Sequence, residues 1–322
     1  MKQQIVTQNY LITYIISKYN TQIQKSTRLV LFYYGGNMVR EFRLINEKGQ
    51  DYSLMDIENH ILLTDPTGLG YSYSTDYQQL GNTFISNLRR MEQGQISGTA
   101  NFLEYDNFKN FIDFVEGSES LRFAYKIPYK DGSTKEYFKD VVIQSISKTQ
   151  KQINGIFSET VAFDGLSLWY EENTIIYTIT PQENEIRWDF EWDSRFIDYD
   201  TRNLEYINNG HTEAPILVEM NGHLVNPKIE LYVNGQLYQT VEITVEIQEY
   251  EKLLYGTREN NFYIEKQNTD GTLVNLFSLD YINPANDNVI RLPVNKSCEL
   301  RLTADNEVLN AQITILPQYK AV

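Results

Sequence analysis

The densest cluster of potentially reactive side chains alternates aromatic and acidic residues, in the order Trp188-Asp189-Phe190-Glu191-Trp192-Asp193. On a strand, successive side chains point to opposite faces. The carboxylates of Asp189, Glu191 and Asp193 would then share one face, roughly 7 Å from one to the next. Carboxylates at that separation suit glycoside hydrolysis or calcium binding. An amphipathic strand with an aromatic core face and a solvated acidic face explains the same pattern without chemistry, and we favour that interpretation.

Histidine and cysteine are too scarce to predict a metal centre. The chain has three histidines, His60, His211 and His223, and one cysteine, Cys298. A zinc site needs several such ligands at close spacing. His211 and His223 each follow an Asn-Gly pair, which favours turn or surface positions. Cys298 falls in a predicted strand, and we interpret it as a packed thiol.

Phosphate-binding and catalytic motifs are missing from the chain. It contains no dinucleotide-binding GxGxxG, no P-loop, no GxSxG nucleophile elbow and no HExxH zinc motif. The glycines between residues 68 and 98 fit turns and bulges better than a phosphate cradle. The sequence therefore predicts a protein that is not an enzyme, with no catalytic, metal-binding or cofactor-binding residues and no cofactor.

Composition predicts a folded, acidic chain. Its 322 residues suit two domains of roughly 100–200 residues each. Hydrophobic residues make up 41% and charged residues 22%, as in globular proteins. The formal net charge of -15 argues against sequence-specific nucleic-acid binding and against binding to anionic membranes. No apolar run approaches the ~20 residues of a membrane span, and a single cysteine excludes an intramolecular disulfide.

Residues 1–37 differ in charge from the rest of the chain. They contain four basic residues and no acidic residue, which leaves a net charge of -19 on the residues that follow. Their apolar runs are interrupted and lack a clear small-residue cleavage site, so a signal peptide is not indicated. Gly35-Gly36-Asn37-Met38 is what a purine-rich ribosome-binding site would encode if it were translated in frame. We interpret residues 1–37 as a non-native extension upstream of a natural start at Met38, with a disordered arm as the alternative.

The pattern of residues 38–172 predicts one mainly β domain. Residues 65–70 carry turn residues throughout, which predicts a loop. Residues 71–103 predict extended segments. Breaks in this extended pattern fall at glycine-containing positions: 80–82, Gly94 and Gly98.

A single helix and a hairpin follow in the same domain. Residues 105–117 place apolar side chains at helical spacing, on Tyr105, Phe108, Phe111, Ile112 and Val115. Asp106 or Asn107 is predicted to cap the helix, Gly117 to end it, and the apolar stripe to pack on a sheet. Asp131-Gly132 predicts the turn of a hairpin between residues 121–128 and 136–146.

The second half of the chain predicts an all-β sandwich. Residues 173–185 are polar and acidic towards their end, and we interpret them as a linker. Residues 186–322 then contain short strands separated by Asn-Gly and Asp-Gly turns. Arg301 and residues 311–316 are assigned to the last pair of strands.

Between residues 40 and 172 the chain carries a series of segments that resembles the N-terminal domain of phage distal tail proteins. These segments are REFRLINEKGQDYSLM, DPTGLGYSYSTDYQQLGNTF, QGQISGTANFLEYDNFKNFIDF and FKDVVIQSISKTQKQINGIFSETVAFDGLSLWYEE. No single motif is very specific. The match is made stronger by the order of the motifs, which are the GLGY loop, the LGN turn, the helix and the LSLWYE terminus. The second half, with Asn209-Gly210 before Pro215, is similar more weakly to the galectin-like C-terminal domain of the same family.

The resemblance implies a mainly β fold, with a β-sandwich-like N-terminal domain that carries one helix and a galectin-like C-terminal β-sandwich. It also implies a structural hub in the virion, at the tip of a long non-contractile tail of a phage or prophage of Gram-positive hosts. Six copies would form a ring, made in the bacterial host cytoplasm. The implied partners are other copies of the chain, the tail tube protein, a tail-associated lysin or tail-tip protein, and a receptor-binding protein, with no sequence-specific nucleic acid and no membrane.

A second functional hypothesis is a carbohydrate-binding or carbohydrate-cleaving tail protein that acts on the host cell wall. It depends on the galectin-like second half and on Trp188 and Trp192. Exposed tryptophan platforms favour it, whereas buried tryptophans and a six-subunit assembly favour the structural hub.

Overall fold

The computed structural model describes the chain as two compact units. The first holds the described residues up to Leu168 together with Ala321 and Val322, and the second holds Trp169–Lys320. The described residues are 40–55, 61–129, 131–149, 152–153, 156–179, 203–306 and 309–322. Residues 1–37 lie outside them, as do residues 180–185 of the predicted linker, so the predicted domain limits stay predictions. Residues 173–179, assigned to that linker, form a strand of the second unit.

The first unit is an antiparallel sheet with one helix among its described residues. Its elements are β1 Glu41–Asn46, β2 Asp51–Ser53, β3 Ile61–Thr67, β4 Tyr73–Leu80, β5 Thr83–Met91, β6 Gln95–Phe102, α1 Tyr105–Glu116, β7 Leu121–Pro128, β8 Thr134–Ile146, β9 Gln152–Ile153 and β10 Ile156–Gly165. The sheet order is β2-β1-β7-β8-β10-β6-β3, with β9 beside β10, while β4 and β5 form a separate two-stranded hairpin.

Helix α1 covers one face of this sheet with its aromatic stripe, as predicted. Phe108, Phe111 and Val115 are buried. The ring of Phe102 on β6 lies 5.3 Å from that of Phe108 and 5.6 Å from that of Phe111, measured between centroids. Gly117 follows the last turn, and its N–H donates to Asp113 O at 3.0 Å. The helix therefore packs its apolar stripe on the sheet.

The predicted cap of this helix was wrong. The residue before the helix is Glu104, in extended conformation, and its side chain makes no capping hydrogen bond. Asp106 lies inside the first turn, where a negative charge interacts favourably with the positive end of the helix dipole. The helix thus starts two or three residues earlier than the predicted caps would place it.

Two predicted interruptions are parts of strands. Residues 65–67, predicted as loop, belong to β3, which has a register shift against β6 between Thr64 and Thr67. Gly98 lies within β6, where an added Cβ would come 2.9 Å from Leu63 Cδ1 and 3.1 Å from Thr64 O. The glycine lets β3 approach closely and does not break the strand.

The described residues of the second unit form two larger antiparallel sheets and additional pairs of short strands. Its strands are β11 Trp169–Tyr170, β12 Asn173–Ile179, β13 Asn203–Ile207, β14 Ala214–Asn221, β15 Leu224–Val225, β16 Lys228–Val233, β17 Gln236–Glu242, β18 Glu246–Ile247, β19 Lys252–Arg258, β20 Asn261–Gln267, β21 Leu273–Asn275, β22 Arg291–Leu292, β23 Ser297–Thr303, β24 Leu309–Ile315 and β25 Gln318–Tyr319. One sheet has the order β12-β24-β14-β19-β20-β21, with β22 on β14, and the other has the order β13-β23-β16-β17.

Both sheets contribute to one apolar core. Val218 and Ile313 enter it from the larger sheet, and Leu231 and Leu300 from the smaller one. Alternating buried and partly exposed residues along β23 match a sheet with one face on the core. The predicted mainly β fold is therefore confirmed.

The predicted pairing of the last two strands was wrong. Arg301 lies on β23, which pairs with β13 and β16 in the smaller sheet. β24 pairs with β12 and β14 in the larger sheet. The chain changes sheets between them, which local turn chemistry does not encode.

Candidate functional site

The β4–β5 hairpin extends from the first unit without joining its main sheet. The two strands pair with each other from Tyr73 opposite Met91 to Leu80 opposite Thr83, and neither pairs with another described strand. Every residue of β5 is exposed, and so is every residue of β4 apart from Tyr73 and Thr75, which are half-buried. A two-stranded hairpin with no further strand beside it is marginally stable in water.

Apolar side chains occupy both faces of this hairpin. Residues paired across the strands share a face. One face carries Tyr73, Tyr77, Phe84 and Met91, and the other Leu80, Ile85 and Leu88. Phe84 is 68% and Tyr77 65% exposed. Contiguous exposed apolar surface marks interaction sites, and its presence on both faces indicates a hairpin that is covered on two sides.

The root of the hairpin is held by specific contacts. Gly68, in the loop before β4, has a φ of +78°, and an added Cβ would lie 1.6 Å from Gln95 O. The Ser72 hydroxyl donates to a Glu92 carboxylate oxygen at 2.6 Å, and the Glu92 N–H donates to Ser72 O at 3.0 Å. The GLGY loop therefore fixes the point where the hairpin leaves the unit.

Sequence analysis located the turn of this hairpin but gave the hairpin no role. Gly81 has a φ of +60° in the turn, which matches the break predicted at residues 80–82. The exposure was missed because an apolar strand looks the same whether its partner lies in the same chain or in another. One sequence signal could have indicated this exposure. Apolar residues occur at both odd and even positions of β5, and the same strand carries the charged residues Arg89 and Arg90.

A second surface of the first unit is polar and nearly free of charge. It is the face of β3, β6 and β10 turned away from the core, where cross-strand partners share one side. Its partly or fully exposed hydroxyl and amide residues are Thr64, Thr67, Ser97, Thr99, Asn101, Ser158 and Thr160. Several hydrogen-bond to one another, including Thr67 with Ser97 at 2.8 Å and Ser158 with Asn101 at 2.7 Å. We call this set the hydroxyl face.

The described histidines lie at the surface, where the sequence placed them. His211 Nδ1 accepts the Lys320 N–H at 3.1 Å, and its ring meets the Tyr319 ring edge-on. His223 Nε2 lies 3.1 Å from Glu246. No group of three or more His, Cys, Asp and Glu residues is placed to hold a metal in the described part of the chain. His60 lies outside that part.

Cys298 is a packed thiol. It is fully buried on β23, and burial raises the pKa of the Cys298 thiol to about 11. Since the thiolate is the reactive form, this thiol is unreactive near neutral pH. The acidic and aromatic cluster at residues 188–193 lies outside the described residues, so its predicted arrangement stays a prediction.

A small cleft beside α1 holds a buried carboxylate that is fully engaged. The cleft is lined by Tyr105, Phe108, Lys148, Thr149, Phe157 and Glu159. Both Glu159 carboxylate oxygens accept the Thr149 N–H at 2.9 Å, and the Ser147 hydroxyl lies at 3.3 Å. Lys148 Nζ donates to the Tyr105 hydroxyl at 3.1 Å. These internal hydrogen bonds give both charged groups a structural role.

No helix among the described residues is long and apolar enough to cross a membrane.

The fold of the chain is similar to those of chains from phage tail structures. A chain of the phage P2 baseplate in its activated conformation with calcium matches with a TM-score of 0.61 at 15% identity, covering 88% of this chain and 100% of that one. The strontium form gives 0.62 at 14% identity over the same shares. The SPP1 Dit protein, described as a paradigm of the hub adsorption apparatus in phages that infect Gram-positive hosts, gives 0.50 at 11% identity, covering 85% and 98%.

The family follows from the sequence of the first unit. Residues 41–166, which lie in the first unit, match the family described as Distal tail protein, N-terminal domain. The Distal tail protein of Lactococcus phage SK1 is 26% identical over 146 residues, which are 44% of this chain and 48% of that protein. The match thus spans about half the length of this curated relative. The predicted resemblance to phage distal tail proteins is confirmed.

Proposed function

We propose that the chain is a structural baseplate hub at the tip of a long non-contractile phage tail. Six copies form a ring that joins the tail tube to tail-tip and receptor-binding proteins. The match of residues 41–166 to the distal tail family supports this role. The observation that carries it is the β4–β5 hairpin, which exposes apolar side chains on both faces and packs on no other described strand.

The hairpin supplies the kind of contact that a closed ring requires. A ring needs a heterologous contact, in which one surface of a copy meets a different surface of the next. A hairpin from one copy that lies on its neighbour's body is such a contact. Both faces become buried when the hairpin is held between the neighbour and a second protein layer, for which the tail tube is the natural candidate.

The hydroxyl face suits the wall of a channel for DNA. Clustered Lys and Arg side chains would bind phosphates and retard the DNA, whereas hydroxyls and amides present no fixed charge. Asp164 is the charged residue of β10 on the side of the hydroxyl face, and its carboxylate accepts a hydrogen bond from Gln95 at 3.1 Å. We therefore place this face towards the lumen, in line with an acidic or neutral inner wall.

The role is structural and not enzymatic. The described residues hold no metal-binding cluster, Glu159 is committed to internal hydrogen bonds, and Cys298 is buried. The second unit, with its own core, serves as an adaptor for peripheral baseplate proteins. The alternative hypothesis of a sugar-directed tail protein depends on exposed Trp188 and Trp192, which lie outside the described residues. No described residue favours that hypothesis. The protein acts in the virion after synthesis in the host cytoplasm.

The test is the assembly state of the purified chain, starting at Met38, with and without the tail tube protein. Electron microscopy and mass photometry should show a ring of six copies with a neutral or acidic pore. Monomers alone at micromolar concentration, with the tube protein present, would refute the hub. A pore lined with basic side chains would refute the lumen assignment. Cell-wall hydrolysis that is lost on changing Asp189, Glu191 and Asp193 together to Asn would refute the structural role.

A further inference from the structure

The larger sheet of the second unit ends in another exposed apolar segment. Residues 273–279, which we call the β21 edge, contain β21 and the residues just after it. Leu273, Val274, Phe277 and Leu279 are all exposed, with Leu279 at 77%. Single exposed leucines are common on protein surfaces, but four large apolar side chains exposed within seven consecutive residues form a patch of the kind that marks an interaction site.

The β21 edge is held in place by the core of the second unit. Leu276 is buried, and its N–H donates to Ile264 O on β20 at 2.8 Å. The Asn275 side chain accepts the Phe277 N–H at 2.7 Å. The Phe277 ring meets the Phe262 ring edge-on, with centroids 5.0 Å apart. The exposed side chains are thus presented in a fixed geometry.

β21 is an edge strand of three residues, and beyond it the Phe277 and Ser278 N–H groups are hydrogen-bonded within the segment. β21 pairs with β20 and is the last strand of its sheet among the described strands. Proteins protect such edges with lysines, prolines or bulges. Residues 273–279 contain no charged residue and no proline, and β21 pairs with β20 without a register shift. The edge therefore has the features of a strand that accepts a partner.

Charge indicates the chemistry of that partner. Asp270 and Asp280 flank the β21 edge in sequence, and the basic residue of the paired strand β20, Lys266, is engaged by Glu251. A bound strand would have apolar residues opposite Leu273 and its neighbours, flanked by basic residues near these carboxylates. Two copies of this chain joined edge to edge would instead bring four aspartates together, which is unfavourable.

We infer that the β21 edge binds an extended segment of another tail protein, which adds to the sheet as a strand and carries apolar residues flanked by Lys or Arg. Strand addition takes affinity from backbone hydrogen bonds and specificity from alternate side chains. This inference rests on the proposed function, because it assigns a surface to the adaptor role of the second unit.

The experiment probes residues 38–322, which contain both units, against an array of short overlapping peptides that covers the proteins of the purified tail. Bound peptides should alternate apolar residues and be net positive. The double variant Leu273→Ser with Leu279→Ser should weaken their binding by about tenfold or more, as for loss of a central apolar contact. The matched control is Leu237→Ser, because Leu237 is exposed to the same extent as Leu273 but lies on β17. Asp270→Asn with Asp280→Asn should reduce the salt dependence of binding.

Several outcomes would overturn the inference. These are the absence of any bound peptide, equal binding of acidic peptides, binding that the double variant retains, and self-association that the double variant abolishes. Thermal unfolding checks that the variants fold, which exposed positions should allow. Ring formation is measured on the same samples and should be unchanged in the double variant. If the wild-type chain forms no ring but still binds peptides, the proposed hub function is refuted and the inference about the β21 edge is retained.

Discussion

Gly165 and Lys139 lie in such close contact that any side chain at Gly165 would displace the lysine. An added Cβ at Gly165 would fall 2.4 Å from Lys139 Cε and 2.7 Å from Gly94 O. Gly165 also donates its N–H to Gly94 O at 2.7 Å. Lys139 itself is buried on β8. The end of β10 and the residues returning from the β4–β5 hairpin thus meet over one buried lysine.

Changing Gly165 to Ala should destabilise the first unit by about 1–3 kcal/mol, because the new methyl group overpacks a site closed by backbone atoms. Urea unfolding of the purified chain measures the loss. Gly70→Ala is the matched control, since nothing lies within 4 Å of a Cβ added at Gly70. Equal unfolding midpoints for the two variants would show that the contact relaxes at little cost.

The free energy of unfolding of the wild type should change with pH in the alkaline range, and Lys139→Met should remove this change. Burial lowers the pKa of Lys139 from its ordinary 10.5. Between the lowered pKa and 10.5, the unfolded chain binds more protons than the folded chain, so the free energy of unfolding rises with pH across that interval.

The measurement compares urea unfolding of the wild type and Lys139→Met from neutral to alkaline pH. The difference between the two proteins should change across the interval, with the wild type gaining relative to the variant as pH rises. Lys48→Met, at an exposed position, is the control. A difference that stays constant with pH would contradict the assignment to Lys139.

Phe84→Ser with Ile85→Ser should abolish ring assembly and leave the stability of the monomer unchanged. The two side chains lie on opposite faces of the hairpin and are 68% and 50% exposed, so their replacement should cost the monomer little. Mass photometry follows the ring, and thermal unfolding follows the monomer. Tyr250→Ser is the matched control, because Tyr250 is 80% exposed in the second unit. A ring that forms normally from the double variant would remove the hairpin from the interface.

Cys298 should resist thiol reagents in the folded protein near neutral pH. It is fully buried, and burial raises the pKa of the Cys298 thiol to about 11, so little thiolate forms. In urea the same thiol should react at once. A chain with Cys298→Ser and Ser86→Cys, which moves the thiol to the exposed β5, should react in the folded state and shows that the reagent is active. Rapid labelling of Cys298 in the native wild type would contradict its packing.

Local patterns predicted local structure well. The helix at residues 105–116 followed from its apolar spacing, and the β7–β8 hairpin from Asp131-Gly132, where Gly132 has a φ of +85°. Each signal is contained within a few residues. The mainly β fold followed because most of the chain carries such strand and turn signals.

Structure that depends on distant residues was not predictable in the same way. Residues 65–67 carry turn chemistry, yet pairing with β6 draws them into a bulged strand. β23 and β24 are consecutive but belong to different sheets, because each follows partners elsewhere in the chain. The exposure of β4 and β5 was hidden for a related reason, since a strand's own sequence does not show whether other strands of the chain cover it.

The register shift in the hairpin gives its projection a handedness. Between Asp76 and Tyr77 the pairing slips, so that Asn87 has no direct partner on β4. A bulge of this kind increases the right-handed twist of the strands beyond it. The tip, with Phe84 and Ile85, is therefore rotated relative to the root at Ser72 and Glu92. Every copy carries the same rotation, so a ring built with these arms has a fixed direction, with each arm reaching the neighbour on one side and never the other.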